Sequence, residues 1–280
     1  MKKILIPIDT SQHSLEAIDY AIKFFKREDC EFFFLNTYSY GVNGLDALSL
    51  LQADDDWFDE PKLKSEKILG RLIKKYSSIN KSKKHQFNEI SECSDLIDGI
   101  KKTVKTLDID IVLFLGKSKE DNSLKKYSKN TERIIESIRE CPVMVIPHTA
   151  NIRKNQEFIL ASSFEKAISI KELESWSKLL RLVKGKGRLV VFNQASDLTS
   201  TQKSNLAHTI NRIYNLNDIV VPVQYLNTKK DIKQFAQSHP DCILSIVDRK
   251  PNIWRRLGFE NSEIVNLGPL QCTPLIALHA

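Results

Sequence analysis

The stretch KILIPID at residues 3–9 is a continuous apolar run that ends in a polar turn. Such a run is typical of a strand buried on both faces of a parallel sheet, and it predicts a strand that ends near Asp9. Ser11 or Ser14 can cap a helix after this strand. The apolar positions of that helix recur at helical spacing and are Leu15, Ile18, Ala21, Ile22 and Phe25. The two segments together predict a βα unit.

The same alternation continues through the first half of the chain. Apolar runs predict strands over residues 31–36, 86–90, 109–115 and 143–147, and helical periodicity predicts helices over 61–75, 93–107 and 131–139. Parallel neighbouring strands need crossover helices between them. Strands that alternate with helices therefore indicate an open parallel α/β sheet.

The second half repeats this plan. Strands are predicted over residues 158–162, 188–192, 219–225, 242–247 and 275–278, and helices over 171–183, 201–213 and 231–237. The segment CPVMVIPH at 141–148 also resembles CTPLIALH at 272–279. Self-similarity at this period indicates a tandem duplication. We predict an α/β protein of two domains, 1–149 and 150–280, each with an open parallel five-stranded sheet and helices on both faces, in preference to one ten-stranded sheet.

Composition limits the classes of function. The 280 residues are 41% hydrophobic and 28% charged, as in an ordinary folded protein. Residues 1–150 carry 24 basic and 24 acidic side chains, and residues 151–280 carry 18 and 11, so the net charge of +7 lies in the second half. These charges are interspersed and lack an RNP-like, helix-turn-helix or arginine-rich signature, so nucleic acid is not expected as a partner. No apolar run approaches the ~20 residues of a membrane span, and we expect a cytoplasmic protein without a membrane partner.

Cysteine and histidine spacing gives no metal or disulfide pattern. The cysteines are Cys30, Cys93, Cys141, Cys242 and Cys272, an odd number without a C-x-x-C pair. The six histidines are equally scattered, with no H-x-x-x-H motif. We therefore expect reduced thiols and no metal site.

Three segments carry a resemblance to a known family. They are KKILIPIDTS at 2–11, the predicted strand that ends in Gly116, and CPVMVIP at 141–147. In order and spacing they resemble the universal stress protein family, which has an adenine-nucleotide alpha-hydrolase-like fold of five parallel strands and includes tandem two-domain members. Members that bind nucleotide carry an Asp at the end of the first strand and a G-x2-G-x9-G-[ST] loop after the fourth. Glycines in such a loop let backbone N–H groups approach phosphate. The resemblance implies a first-domain nucleotide site of Pro7, Asp9, Thr10, Gly116, Lys117, Ser118, Ser128, Lys129, Asn130 and Thr131.

This loop departs from the family pattern. Lys119 occupies the second glycine position and Lys129 or Ser128 the third, and residues 117–122 contain no glycine and two acids. Acids repel a polyphosphate. The loop lysines could hold phosphate as point charges, but the sequence favours a degraded site.

The second domain departs further. Ser163 stands where the acid is expected, and Asp248 replaces the first glycine. Trp254 lies among Arg249, Lys250, Arg255 and Arg256 and could stack a base or hold an anionic partner. The interpretation that we favour is that Trp254 anchors a short helix and that the cations are solvated.

The resemblance also implies how the domains associate. In the family the last strand commonly pairs with its counterpart in another domain. Here that strand corresponds to Val143, Met144, Val145 and Ile146 in the first domain and to Leu275, Ile276 and Ala277 in the second. We expect an internal pseudo-dimer from this pairing, with a homodimer as a further option.

The sequence leaves three functions open. The first is a binding and regulatory protein of the stress response with an unknown protein partner, no cofactor and no catalytic residue, since no G-x-S-x-G, P-loop or complete G-x-G-x-x-G occurs. The second is a sensor of ATP or AMP, or a weak ATPase, that binds ATP with Mg²⁺ in the first domain. The third is an interaction protein that binds nucleic acid or acidic partners through the basic second domain.

Overall fold

The computed structural model describes residues 1–9, 12–40, 55–116, 126–150, 152, 156–182, 186–256 and 259–279, without the side chains of 12–13, 55–58, 182 and 256. In the first half (β1–β5) the described elements are β1 (Lys2–Pro7), α1 (Gln12–Phe24), β2 (Cys30–Tyr38), α2 (Asp55–Ile79), β3 (His85–Cys93), α3 (Leu96–Leu107), β4 (Ile111–Leu115), α4 (Lys129–Ser137) and β5 (Val143–Ile146).

The described elements of the second half (β6–β10) follow the same order with one more short helix. Its elements are β6 (Glu157–Ser162), α5 (Ile170–Leu182), β7 (Lys186–Val191), α6 (Ser200–Asn217), β8 (Val223–Tyr225), α7 (Ile232–Ser238), β9 (Cys242–Asp248), α8 (Ile253–Arg256), α9 (Glu263–Leu267) and β10 (Leu275–His279). The ten predicted strands occur, so the α/β class with a mostly parallel sheet is confirmed.

Several predicted boundaries are wrong. Helix α2 begins at Asp55, six residues before Pro61, although proline lacks the N–H that a helix interior uses. Strand β8 begins at Val223 instead of residue 219, because Pro222 has no N–H to donate to the neighbouring strand. The carbonyl of Pro222 accepts a hydrogen bond from the N–H of Leu189.

The strands form one sheet in the order β3-β2-β1-β4-β5-β10-β9-β6-β7-β8. Neighbours within each half are parallel, whereas β5 and β10 are antiparallel, with Val143 opposite Ala277, Met144 opposite Ile276 and Val145 opposite Leu275. Two five-stranded parallel halves thus meet through β5 and β10 in one continuous ten-stranded sheet. Ile146 lies in the same strand and pairs with Leu115 of β4. The domain boundary at 149/150 falls between β5 and β6 and stays a prediction.

Hydrophobic cores cover both faces of the sheet and run through both halves. Alternate residues of β1 face opposite sides, since Ile4 and Ile6 belong to a core cluster that includes residues of α1, α2, α5 and α6, whereas Leu5 belongs to a second cluster that includes residues of α3, α4, α7 and α9. Burial of each such side chain contributes about 1.5–3 kcal/mol. Among the described residues, no helix has the length and apolar character needed to cross a membrane.

Candidate functional site

A cleft of about 270 Å³ opens where β1 and β4 end. The chain leaves β1 toward β2 and leaves β4 toward β5, on opposite sides of the pair. Such a topological switch point is where open α/β sheets place their ligands. The residues that line the cleft are Pro7, Ile8, Asp9, Ser14, Ala17, Leu96, Phe114, Leu115, Gly116, Ser128, Asn130, Thr131 and Ile134.

Asp9 supplies the acidic group of this cleft. It follows β1 and is exposed, and the hydroxyl of Ser14 in α1 donates to its Oδ1 at 2.8 Å. The same Ser14 Oγ accepts the backbone N–H of Asp9 at 2.9 Å. Ser14 therefore orients the carboxylate toward the cleft, where it can accept a hydrogen bond from a ligand.

Gly116 is a glycine for a packing reason. A Cβ added there would lie 2.3 Å from Cγ1 of Val145. Its N–H donates to the carbonyl of Ile146 at 2.9 Å, which holds the backbone against β5. Gly116 is thus required by the close approach of β5, and its presence alone does not indicate a phosphate cradle.

The start of α4 forms the opposite wall. Ser128 caps this helix by accepting the N–H of Thr131 at 3.3 Å, and the hydroxyl of Thr131 donates to the carbonyl of Gly116 at 2.8 Å. These two hydroxyls are engaged in holding α4 to β4. Asn130 lines the cleft, and Lys129 is exposed on the helix beside it.

Six of the residues implied by the resemblance meet at the cleft: Pro7, Asp9, Gly116, Ser128, Asn130 and Thr131. Lys129 does not line it, and Thr10, Lys117 and Ser118 lie outside the described residues. The sequence did not indicate the apolar walls formed by Leu96, Phe114 and Ile134, although the predicted strand and helices contain these residues. Ligand binding by these residues stays a prediction.

The second half holds a buried ion cluster at the equivalent edge, composed of Glu136, Arg139, Asp248 and Arg255. The strand register relates the two halves. In the first half, Val112 pairs with Leu5, and Gly116 follows Val112 by four residues. In the second half, Leu244 pairs with Ile159, and Asp248 follows Leu244 by four residues. Asp248 therefore occupies the position of Gly116, as the sequence alignment predicted. Its side chain is 1% exposed and lies 2.6 Å from Nη1 of Arg139, which belongs to the first half.

Arg255 completes this cluster. Its Nη1 donates to Oδ1 of Asp248 at 3.1 Å, and its Nη2 pairs with Glu136 of α4. Burial alone would raise the pKa of Asp248, but His279, Arg255 and Arg139 around it lower the pKa below its usual range. The interpretation that this cation is solvated is therefore wrong for Arg255, which is buried in the ion cluster.

The segment after β6 is tied to two other segments of the second half. Phe164 is fully buried with a φ of 55°, and its carbonyl accepts from Nδ2 of Asn205 at 2.9 Å. Nη2 of Arg249 donates to the carbonyls of Lys166 and Ala167 at 3.0 and 3.3 Å. The side chains of Asn205 and Arg249 thus hold the segment after β6 at this edge of the second half.

No group of three or more His, Cys, Asp or Glu side chains that could hold a metal ion occurs within the part of the chain that the structure describes.

Comparisons with known proteins agree with this architecture. The universal stress protein family model matches residues 1–147. A universal stress protein from Archaeoglobus fulgidus is 15% identical, with 99% of this chain and 98% of that chain covered and a TM-score of 0.69. A functionally unknown protein from Pseudomonas aeruginosa is 12% identical, with coverage of 99% and 92% and a TM-score of 0.63. The cytoplasmic domain of a prokaryotic cation chloride cotransporter is 12% identical, with coverage of 99% and 94% and a TM-score of 0.52. At these identities the structural matches show a shared fold. A search of curated proteins gives no match.

Proposed function

Because the chain belongs to the universal stress protein family, we propose that it is a binding and regulatory protein of the stress response that does not hydrolyse nucleotide. The observation that carries this proposal is the ion pair of Asp248 with Arg139. The Asp248 side chain and its arginine partners fill the position where the family has a glycine that lets backbone N–H groups approach phosphate, and the second half thereby serves as a structural partner of the first.

The first half supports the same proposal through its polar groups. Ser128 and Thr131 direct their hydroxyls to each other, to the helix backbone and to Gly116. Gly116 itself is accounted for by Val145. Among the described residues of this loop, Gly116, Ser128 and Thr131 thus have structural roles, and the regulatory partner that we expect is a protein.

A second candidate is a nucleotide sensor that uses the cleft of the first half. The cleft of about 270 Å³ is near the lower end of the volumes of small-molecule sites, about 300 Å³. Phe114 and Leu96 offer apolar walls for a base, Asp9 offers an acceptor, and the N-terminus of α4 favours an anion. ATP with Mg²⁺ or AMP is the ligand that this candidate would take.

One experiment separates the two. Melting temperatures are measured with ATP plus Mg²⁺, ADP, AMP and adenosine, alongside phosphate release from ATP. A ligand that binds the native state must raise the melting temperature by mass action. The first proposal expects no shift with any of the four and no phosphate release.

The variants make the result specific to the cleft. Asp9→Asn removes the charge while leaving an acceptor for Ser14, and Asp59→Asn on the exposed side of α2 is the matched control. A shift that Asp9→Asn abolishes and Asp59→Asn preserves would establish the sensor and overturn the first proposal. Release of phosphate that depends on Asp9 would establish an ATPase.

A further inference from the structure

Three large apolar side chains protrude beside the buried ion cluster. Ile253, Trp254 and Phe259, here called the aromatic tip, are 71%, 58% and 73% exposed. The rings of Trp254 and Phe259 meet edge to face with centroids 6.0 Å apart, and the N–H of Phe259 donates to the carbonyl of Trp254 at 2.9 Å. Exposed apolar groups in contact with one another mark interaction surfaces.

The aromatic tip is fixed to the core of the protein. Arg255 follows Trp254 in α8 and directs its guanidinium inward to Asp248 and to the carbonyl of Arg249 at 2.9 Å. Oδ1 of Asn252 accepts the N–H of Arg255 at 2.8 Å and caps the turn. Arg255 of α8 is thus held in the ion cluster while Ile253 and Trp254 of the same helix stay exposed, so the ion cluster anchors the helix that carries the tip.

The surroundings of the tip are cationic. Residues 249–260 contain four Arg or Lys and one acid, Glu260. Arg255 is neutralised inside the ion cluster, whereas Lys250 is exposed next to the tip and Lys166 is exposed on the segment that Arg249 contacts. Glu165 adds one acid on that segment, and Glu260 accepts from Nδ2 of Asn252 at 3.2 Å. The balance of charge near the tip therefore attracts anionic surfaces.

We propose that the aromatic tip inserts into the interface of an anionic lipid bilayer and gives this chain reversible attachment to a membrane surface. Tryptophan and phenylalanine are favoured at the boundary between headgroups and acyl chains. Lys250 next to them can keep its charge at the phosphate level while its stem stays among apolar groups. A lipid bilayer deforms around inserted groups, so it can accommodate side chains that protrude together. The surface lies outside the cleft of the first half, so this inference is independent of the proposed function.

The test is sedimentation of the full chain with vesicles. Phosphatidylcholine vesicles are compared with vesicles that contain about one-third phosphatidylserine, at low and at high salt. We expect partition into the anionic vesicles only, weakened by salt, with a blue shift of the fluorescence of Trp254. Because the chain contains three tryptophans, the shift is assigned to Trp254 by its loss in Trp254→Ala.

Matched variants locate the contact. Ile253→Ser is compared with Val220→Ser, a residue that is 83% exposed, and Lys250→Ala is compared with Lys203→Ala on the exposed face of α6. Loss of one cation near the surface should lower partition about fivefold, and Ile253→Ser and Trp254→Ala should each lower it by about tenfold or more. The two controls should bind as the unchanged protein does.

Three results would overturn the proposal. One is that the same fraction of the protein sediments at low salt in the presence and in the absence of anionic vesicles. Another is salt-dependent binding of polyuridylate that Trp254→Ala abolishes, which would assign the tip to single-stranded nucleic acid. The third is a stable dimer in sedimentation equilibrium that dissociates in Ile253→Ser, which would assign the tip to a second copy of this chain.

Discussion

Arg139 of the first half lies 2.6 Å from the buried carboxylate of Asp248 in the second half. The two residues are 109 positions apart, and the antiparallel pairing of β5 with β10 brings their elements together. The ion pair adds a charged contact between the halves to the hydrogen bonds of the sheet. In addition, the carboxylate of Asp248 stands at the position in the second half that corresponds to Gly116 in the first half.

Removal of Arg139 should destabilise the protein strongly. Arg139→Met leaves Asp248 buried with fewer partners, and loss of one member of a buried pair costs about 3–5 kcal/mol. The control is Arg133→Met, because Arg133 pairs with Asp95 where both side chains are about half exposed. That pair should contribute less than about 1 kcal/mol. Urea unfolding measures both values, and equal losses would contradict the structural importance of the buried ion cluster.

Stability should fall at acid pH through Asp248. Its pKa is lowered in the folded protein, so the unfolded chain binds the proton more readily. The stabilisation is fully present above the usual carboxyl pKa of about 3.9 and is lost as the pH falls through the lower folded value. Asp248→Asn should remove this part of the acid dependence. Urea midpoints between neutral and acid pH test it, and an unchanged acid slope in the variant would refute it.

His279 should add a second pH dependence. Burial lowers its pKa, although the neighbouring Asp248 opposes the shift, so the neutral ring is favoured in the folded state. Its contribution is present above the unfolded pKa of about 6.5 and is lost as the pH falls toward the folded value. His279→Phe should flatten the fall in unfolding free energy just below that pH. A variant with the slope of the unchanged protein would show that His279 is not its source.

Substitution by alanine should change the stability of the protein in opposite directions at two glycines. Gly116→Ala places a Cβ against Val145 and should cost about 1–3 kcal/mol through overpacking. Gly70 lies in α2 with only Oε2 of Glu89 near the new Cβ, at 4.0 Å. Gly70→Ala should therefore stabilise the protein by about 0.5–1 kcal/mol through helix propensity. Thermal and urea unfolding check both signs, and a tolerated Gly116→Ala would restore a ligand as the reason for that glycine.

Two of the five thiols should react readily. Cys93 and Cys272 are exposed, whereas Cys30, Cys141 and Cys242 are buried. Burial raises the pKa of each of these three thiols to about 12, which leaves little thiolate at mild pH. A chromogenic disulfide reagent should titrate two thiols in the native protein and all five after denaturation. A third fast thiol in the native state would contradict the described packing.

Part of the candidate site could be predicted from the sequence. Asp9 and Gly116 follow two predicted parallel strands, and the carboxyl ends of such strands share one edge. The role of Gly116 could not be predicted, because its reason is the distance to Val145 on another strand. The sequence offered both an exposed and an anchoring role for Trp254 and favoured the anchor, whereas the side chain is 58% exposed, because a local sequence does not show whether an aromatic residue packs inward or outward.

The sequence by itself determined the alternation of strands and helices and the division into two similar halves, because the spacing of apolar residues in each element indicates its type and its buried face. The resemblance implied that β5 and β10 pair, but only the tertiary structure decided their antiparallel register and that Arg139 reaches Asp248. Local sequence patterns indicate which residues become buried. They do not report which distant group a buried charge meets, because that depends on how the packed strands and helices bring remote segments together.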